Sequence, residues 1–251
     1  MLNRKAFIMR VFTEFFSSDK KVSLTGYLLD ASPEMPNMQD RPAVLVIPGG
    51  GYRMCSDREA EPIAMLFATE GYQTFVLRYT VGERGEITFE QPFGDAVRAL
   101  KFIRENAAEF HVIPDKIAAI GFSAGGHLAG SLATISDEKP NALILGYPCV
   151  IPKDDGVLSV NVPSTDQFVT EATPPTFLFA TADDGCVSVT HSLAFAKACA
   201  EHGVPFELHV FESGNHGLSL ATPSVCLNGG SPDVEQWTGL CVRWLRKHFF
   251  N

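Results

Sequence analysis

Apolar positions along this chain alternate between short unbroken runs and longer stretches with helical spacing. Residues 43–47 form one such run, bounded by Pro42 and Pro48. A run of that length fits a strand buried on both faces. Runs at 73–78, 116–120, 142–146, 176–180 and 206–211 read the same way. Between them, 58–70, 92–110, 126–134, 187–202 and 234–249 read as helices. In the second of these, Val97, Leu100, Phe102 and Ile103 recur near helical spacing. Alternation of this kind predicts an α/β fold, a mostly parallel central sheet with helices on both faces. Two further strands, 7–16 and 22–29, are joined by the polar turn 17–21 and predict an antiparallel N-terminal edge. Residues 31–42 carry three prolines and read as a loop. Segments 79–92 and 148–174 show no clear element. Both are expected to be active-site loops, the second lying over the carboxyl ends of the strands.

Composition narrows the class without naming a reaction. With 251 residues, 45% hydrophobic and 20% charged, the chain predicts one globular domain over 1–251. Twenty basic against 29 acidic residues give a net charge of -9, which argues against nucleic acid or an anionic membrane surface as partner. Arg4, Lys5 and Arg10 interrupt the apolar residues before Phe16, so no signal peptide is expected. No stretch approaches the roughly 20 apolar residues of a transmembrane helix. Six cysteines (Cys55, Cys149, Cys186, Cys199, Cys226, Cys241) show no CxxC pair and no metal-ligand spacing. Reduced thiols in a cytoplasmic protein are the plain reading, and no metal or cofactor is expected. Oligomeric state is left open, a homo-oligomer included.

The chemistry gathers at the ends of the predicted strands. Gly121-Phe122-Ser123-Ala124-Gly125 sits between an apolar strand and a small-residue helix. Strand, tight turn and helix are the context of a nucleophile elbow, which lifts the serine hydroxyl above the sheet. A serine needs a base to take its proton. Downstream, Asp183 and Asp184 follow the 176–180 strand, and His216, flanked by Gly214 and Gly217, follows the 206–211 strand. The order serine, acid, histidine is the one this architecture uses, and either aspartate could be the acid. An isolated aspartate pair is more often a turn or helix cap; three such residues, each after its own strand, are not. The other histidines lack that placement. Pro48-Gly49-Gly50-Gly51-Tyr52 follows the most hydrophobic strand, and consecutive glycines allow several amides to aim at one point. Gly50 and Gly51 are expected to donate to an oxyanion. Ala124, at the start of a helix with its N–H unpaired, is expected to be the third donor.

These motifs resemble the alpha/beta-hydrolase superfamily, in the small esterase branch of acetyl esterases, xylan- or feruloyl-esterase-like proteins and hormone-sensitive-lipase relatives. The resemblance rests on 48–52, on 115–117 leading into 121–128, on 181–184 with 192–195, and on 203–209 leading to 214–217. It implies an alpha/beta-hydrolase fold and Asp184 as the acid, with Asp183 the runner-up. It also implies a serine carboxylester hydrolase working through Ser123, His216 and Asp184 on a small-molecule ester. There are departures. Pro48 stands where lipase relatives carry histidine, and Cys186-Val187-Ser188 replaces the Val-Val-Pro common after the acid. Only about 40 residues precede the first buried strand, too few for the family's large cap. An open cleft and short acyl groups are therefore expected. Charges in the irregular segments (Glu83, Arg84, Glu86, Lys153, Asp154, Asp155) suit a polar alcohol such as a sugar. An amide or peptide hydrolase on the same residues, and a non-catalytic binding protein on the same scaffold, are the rival readings.

Overall fold

The computed structural model describes residues 9–152, 157–226 and 229–250. Phe7 and Ile8 of the first expected strand, and Lys153, Asp154 and Asp155, lie outside them. The strands are β1 (Met9–Phe15), β2 (Ser23–Leu29), β3 (Arg41–Ile47), β4 (Gln73–Arg78), β5 (Val112–Phe122), β6 (Ala142–Gly146), β7 (Thr176–Thr181) and β8 (Phe206–Phe211). The helices are α1 (Glu61–Thr69), α2 (Glu90–Glu105), α3 (Ala107–Phe110), α4 (Ser123–Thr134), α5 (Thr190–Glu201), α6 (Pro232–Glu235) and α7 (Trp237–Phe249). The strands form one sheet in the order β1-β2-β4-β3-β5-β6-β7-β8. β2 pairs antiparallel with both β1 and β4; the pairings from β4 through β8 are parallel.

The apolar runs of β3 to β7 work as strands because each has two faces and both are covered, whereas β8, expected to be buried in the same way, is an edge strand that leaves Phe206 and Val210 exposed. Leu45, Ile47, Ala119, Leu143 and Leu178 point to one face, where they pack with Leu100 and Ile103 of α2, Leu128 of α4 and Phe195 of α5. Their neighbours Val44, Val46, Ile120, Ile144, Phe177 and Phe179 point to the other, against Phe67 of α1 and Trp237 and Leu245 of α7. Each such large side chain contributes on the order of 1.5–3 kcal/mol by leaving water.

Element boundaries differ from the sequence reading where local chemistry is unusual. The expected helix 58–70 begins as a separate turn at Asp57–Glu59 and breaks at Ala60 (φ −104°, ψ −102°) before α1. The expected helix 92–110 starts earlier, at Glu90, so the irregular segment after β4 is shorter than 79–92. Pro92 fits because first-turn N–H groups have no helical partner. That helix then divides at Asn106 into α2 and α3, and the C-terminal one divides at Gln236 into α6 and α7. The helix expected from 126 begins at Ser123 itself. Among the described residues, no helix is long and apolar enough to cross a membrane.

Candidate active site

Four loops leave the carboxyl ends of β3, β5, β7 and β8 and meet above the sheet, the edge where open α/β sheets hold their ligands. The loop after β5 is the tightest. Ser123 takes φ +52°, a left-handed conformation that costs a non-glycine residue energy. The glycines around it are sterically required. A Cβ on Gly121 would lie 2.1 Å from the Gly125 carbonyl oxygen, and one on Gly125 would lie 2.2 Å from the Ile47 and Pro48 oxygens. The turn therefore presses the start of α4 against β3, and Ser123 stands at the helix N-terminus, 6% exposed.

The Ser123 hydroxyl lies 2.8 Å from His216 Nε2, and His216 Nδ1 lies 2.7 Å from Asp184 Oδ2. The carboxylate accepts at Nδ1, so the imidazole holds its proton there and turns a lone pair on Nε2 toward the serine. Asp184 Oδ1 accepts the N–H groups of Cys186 (2.8 Å) and Val187 (3.0 Å), and its side chain is 1% exposed. Burial pushes this carboxyl up, but the bonds from His216, Val187 and Cys186 outweigh it and hold its pKa below the usual value. Asp183 does different work. It accepts Ser213 Oγ at 2.7 Å and the Gly214 N–H at 2.8 Å, tying the loop after β7 to the loop that carries His216. Ser123, Asp184 and His216 thus meet, and Asp183 stands behind them.

The glycine loop after β3 turns in the left-handed region at Gly50 (φ +130°) and Gly51 (φ +64°). Among the described residues, neither amide donates a backbone hydrogen bond. Ala124, in the first turn of α4, has no intrahelical acceptor for its N–H. Two struts absent from the sequence reading hold this loop. Tyr52 Oη lies 2.8 Å from His127 Nδ1, and His127 Nε2 lies 2.9 Å from the Pro163 carbonyl oxygen. That carbonyl can only accept, so Nε2 carries the proton and Nδ1 accepts from the tyrosine. Burial holds His127 down at about 4, against an ordinary 6.5. The second strut is Glu59, which accepts the Gly49 N–H at 2.8 Å and Tyr147 Oη at 2.7 Å. Tyr147 follows β6 as Asp184 follows β7. The strand-end rule that singled out the aspartates would have found it.

Cys149, also after β6, donates its N–H to the Ser123 carbonyl oxygen at 3.0 Å, and its Sγ lies 4.0 Å from Ser123 Oγ. It lines a cavity of about 20 Å³ with Ile151, Val157, Leu158, Val187 and His191. Two wider grooves, of about 550 and 700 Å³, run along α7 past Arg243 and Arg246 and touch none of these residues. Among the described residues there is no cluster of side chains able to hold a metal ion.

Comparison with known proteins gives a consistent neighbourhood. The BD-FAE family matches residues 29–145, and the prolyl oligopeptidase family matches residues 159–227. The crystal structure of MGS-M1, an alpha/beta hydrolase enzyme from a Medee basin deep-sea metagenome library, is 44% identical. It aligns over 96% of this chain and 98% of its own, with a TM-score of 0.89. Endo-1,4-beta-xylanase B of Butyrivibrio fibrisolvens is 34% identical over 229 residues, which are 78% of this chain and 36% of that protein. The acetylxylan esterase of Xylanibacter ruminicola is 30% identical over 234 residues, 84% of this chain and 46% of that protein. The chain therefore spans less than half the length of these two curated relatives.

Proposed function

Since this chain belongs to the alpha/beta-hydrolase superfamily, on its esterase branch, we propose that it is a serine carboxylic ester hydrolase. The observation that carries this is the unbroken chain Ser123 Oγ, His216 Nε2, His216 Nδ1 and Asp184 Oδ2, with links of 2.8 and 2.7 Å. Ser123 attacks the ester carbonyl while His216 takes its proton at Nε2. Asp184 keeps the other proton on Nδ1 and stabilises the imidazolium. The amides of Gly50, Gly51 and Ala124 receive the oxyanion, each worth about 3 kcal/mol of barrier. His216 then returns the proton to the leaving alcohol and draws one from the water that hydrolyses the acyl-enzyme.

The acyl group is short and the alcohol is a sugar in this reading. The cavity beside Cys149, about 20 Å³, has room for about one water-sized group, which suits an acetyl methyl. Likeness to an acetylxylan esterase supports the sugar. The test is a panel of p-nitrophenyl esters from acetyl to dodecanoyl, with acetylated xylo-oligosaccharides alongside. Efficiency should be highest from acetyl to butyryl and weak beyond about eight carbons, since each methylene left unburied forgoes about 0.8 kcal/mol. A steady climb to dodecanoyl would overturn the short-chain assignment.

The prolyl oligopeptidase match over 159–227 favours a second reading, in which the same residues cut an amide. Acyl p-nitroanilides in the same panel separate the two: turnover matching the esters would favour the amide. A fluorophosphonate probe that leaves Ser123 unlabelled would reduce the chain to a binding scaffold.

A further inference from the structure

Glu59 takes no part in the steps above, yet it is 3% exposed and sits between the two halves of the site. It ends the short turn Asp57–Glu59 that follows the glycine loop. Its Oε2 accepts the Gly49 N–H at 2.8 Å and its Oε1 accepts Tyr147 Oη at 2.7 Å. Gly49 is held close: a Cβ there would lie 2.7 Å from Glu59 Oε2 and 3.0 Å from the Ser123 Cβ. Tyr147 in turn accepts the Ser219 N–H at 2.8 Å, and its ring stands edge-to-face on His216 with centroids 5.1 Å apart. Tyr147 and Ser219 both sit in the left-handed region, at φ +36° and +54°, conformations that persist only where surroundings enforce them. The same turn grips the histidine loop twice more. Arg58 Nη1 donates to the Gly217 carbonyl oxygen at 2.8 Å, and Ser219 Oγ donates to the Arg58 carbonyl oxygen.

On the ester-hydrolase reading, we propose that Glu59 is a positioning residue: with Tyr147 it locks the glycine loop and the His216 loop into one unit. Oxyanion donors and base then keep a fixed relation to Ser123 as charge develops. The donor count explains why a carboxylate is used. Tyr147 accepts from Ser219, so its own proton goes to Glu59, and the Gly49 N–H needs the second oxygen. A glutamine offers one acceptor and two N–H donors: with its nitrogen toward Gly49 two N–H groups face each other, and with its nitrogen toward Tyr147 the tyrosine proton loses its acceptor. Burial holds the Glu59 carboxyl above its usual value, and the bonds from Tyr147 and Gly49 offset only part of that rise.

The test compares the wild-type chain, Glu59→Gln, Tyr147→Phe and the double variant with p-nitrophenyl acetate, alongside thermal melts and fluorophosphonate labelling. Displacing catalytic groups by a fraction of an ångström should lower kcat about 30-fold in Glu59→Gln and about tenfold in Tyr147→Phe, with KM within about twofold. The double variant should be no slower than Glu59→Gln, because the two side chains act as one unit. A Glu59→Gln kcat within about threefold of wild type overturns the inference, as does a double variant slower by the product of the two singles. Should Glu59→Gln fail to fold, Tyr147→Phe decides, since it removes one oxygen and keeps the ring. A lowered kcat at unchanged KM supports the coupling, and an unchanged kcat overturns it. A wild type inert to both ester and probe overturns the ester reading, and this inference with it. An active wild type with unaffected variants removes only the role of Glu59.

Discussion

Two histidines, one a turn into α4 from Ser123 and the other on the loop after β8, are each held through both ring nitrogens, and their partners give them opposite characters. His216 has a carboxylate on Nδ1 and the serine hydroxyl on Nε2, with its side chain 20% exposed. His127 has a tyrosine hydroxyl on Nδ1 and a backbone carbonyl on Nε2, and is 1% exposed. Proton transfer needs a state in which the ring is charged. Asp184 supplies the opposite charge for His216, whereas among the described residues nothing ionised bonds to His127, and burial drives it toward neutrality. On the proposed mechanism, a bonded histidine beside the nucleophile serves as base where an anion and some solvent accompany it, as they do His216. His127 is instead a strut, joining the glycine loop at Tyr52 to the segment after β6 at Pro163.

The largest break in this comparison comes from removing the group that His216 serves. Ser123→Ala should lower kcat/KM for p-nitrophenyl acetate by about three to six powers of ten. Its thermal melt should match wild type, since alanine meets the same left-handed backbone that serine does. A variant retaining a tenth of wild-type turnover would reassign the nucleophile. Next is the anion. Asp184→Asn should cost about four powers of ten by stabilising the wrong tautomer of His216. Asp183→Asn, which touches Ser213 and Gly214 and not the ring, should cost no more than about tenfold. Equal losses in the two variants would mean that the adjacent aspartates share one role.

Why those residues could be read from the chain, and others not, follows from where they sit. Ser123 comes directly after an apolar run long enough to mark a strand, and Asp184 and His216 come in the loops that follow two others, so the sheet's carboxyl edge collects them without any knowledge of side-chain contacts. The inner strands were legible for the same reason: residues 43–47 are fully buried and have no polar interruption. Glu59 was hidden in what read as the first turn of a helix, where an acidic residue is ordinary. Only the break at Ala60 frees that turn to carry Glu59 down to Gly49. Tyr52 and His127 are 75 positions apart, and nothing local announces their bond. The breaks at Asn106 and Gln236 were equally silent, because the apolar spacing continues across them.

The smallest effect sharpens the contrast from the side of His127, through stability. In the unfolded chain this imidazole takes up a proton near its ordinary value of 6.5, whereas burial lowers it to about 4 in the folded protein. Between those values the unfolded state binds the extra proton, so stability is full above about 6.5, falls as pH drops toward about 4, and levels below it. Between pH 7 and pH 5 this single group should remove about 2 kcal/mol of unfolding free energy. His127→Gln cannot titrate but can still donate to the Pro163 carbonyl oxygen and accept from Tyr52. Urea unfolding at the two pH values should therefore show wild type losing about 2 kcal/mol more than the variant on acidification. The variant should start lower at pH 7 by about 1 kcal/mol, the cost of imperfect bonds at a buried site. Equal acid sensitivity in the two proteins would mean that His127 takes its proton in the folded state as readily as in the unfolded chain. It would then lose its standing as the neutral counterpart of His216.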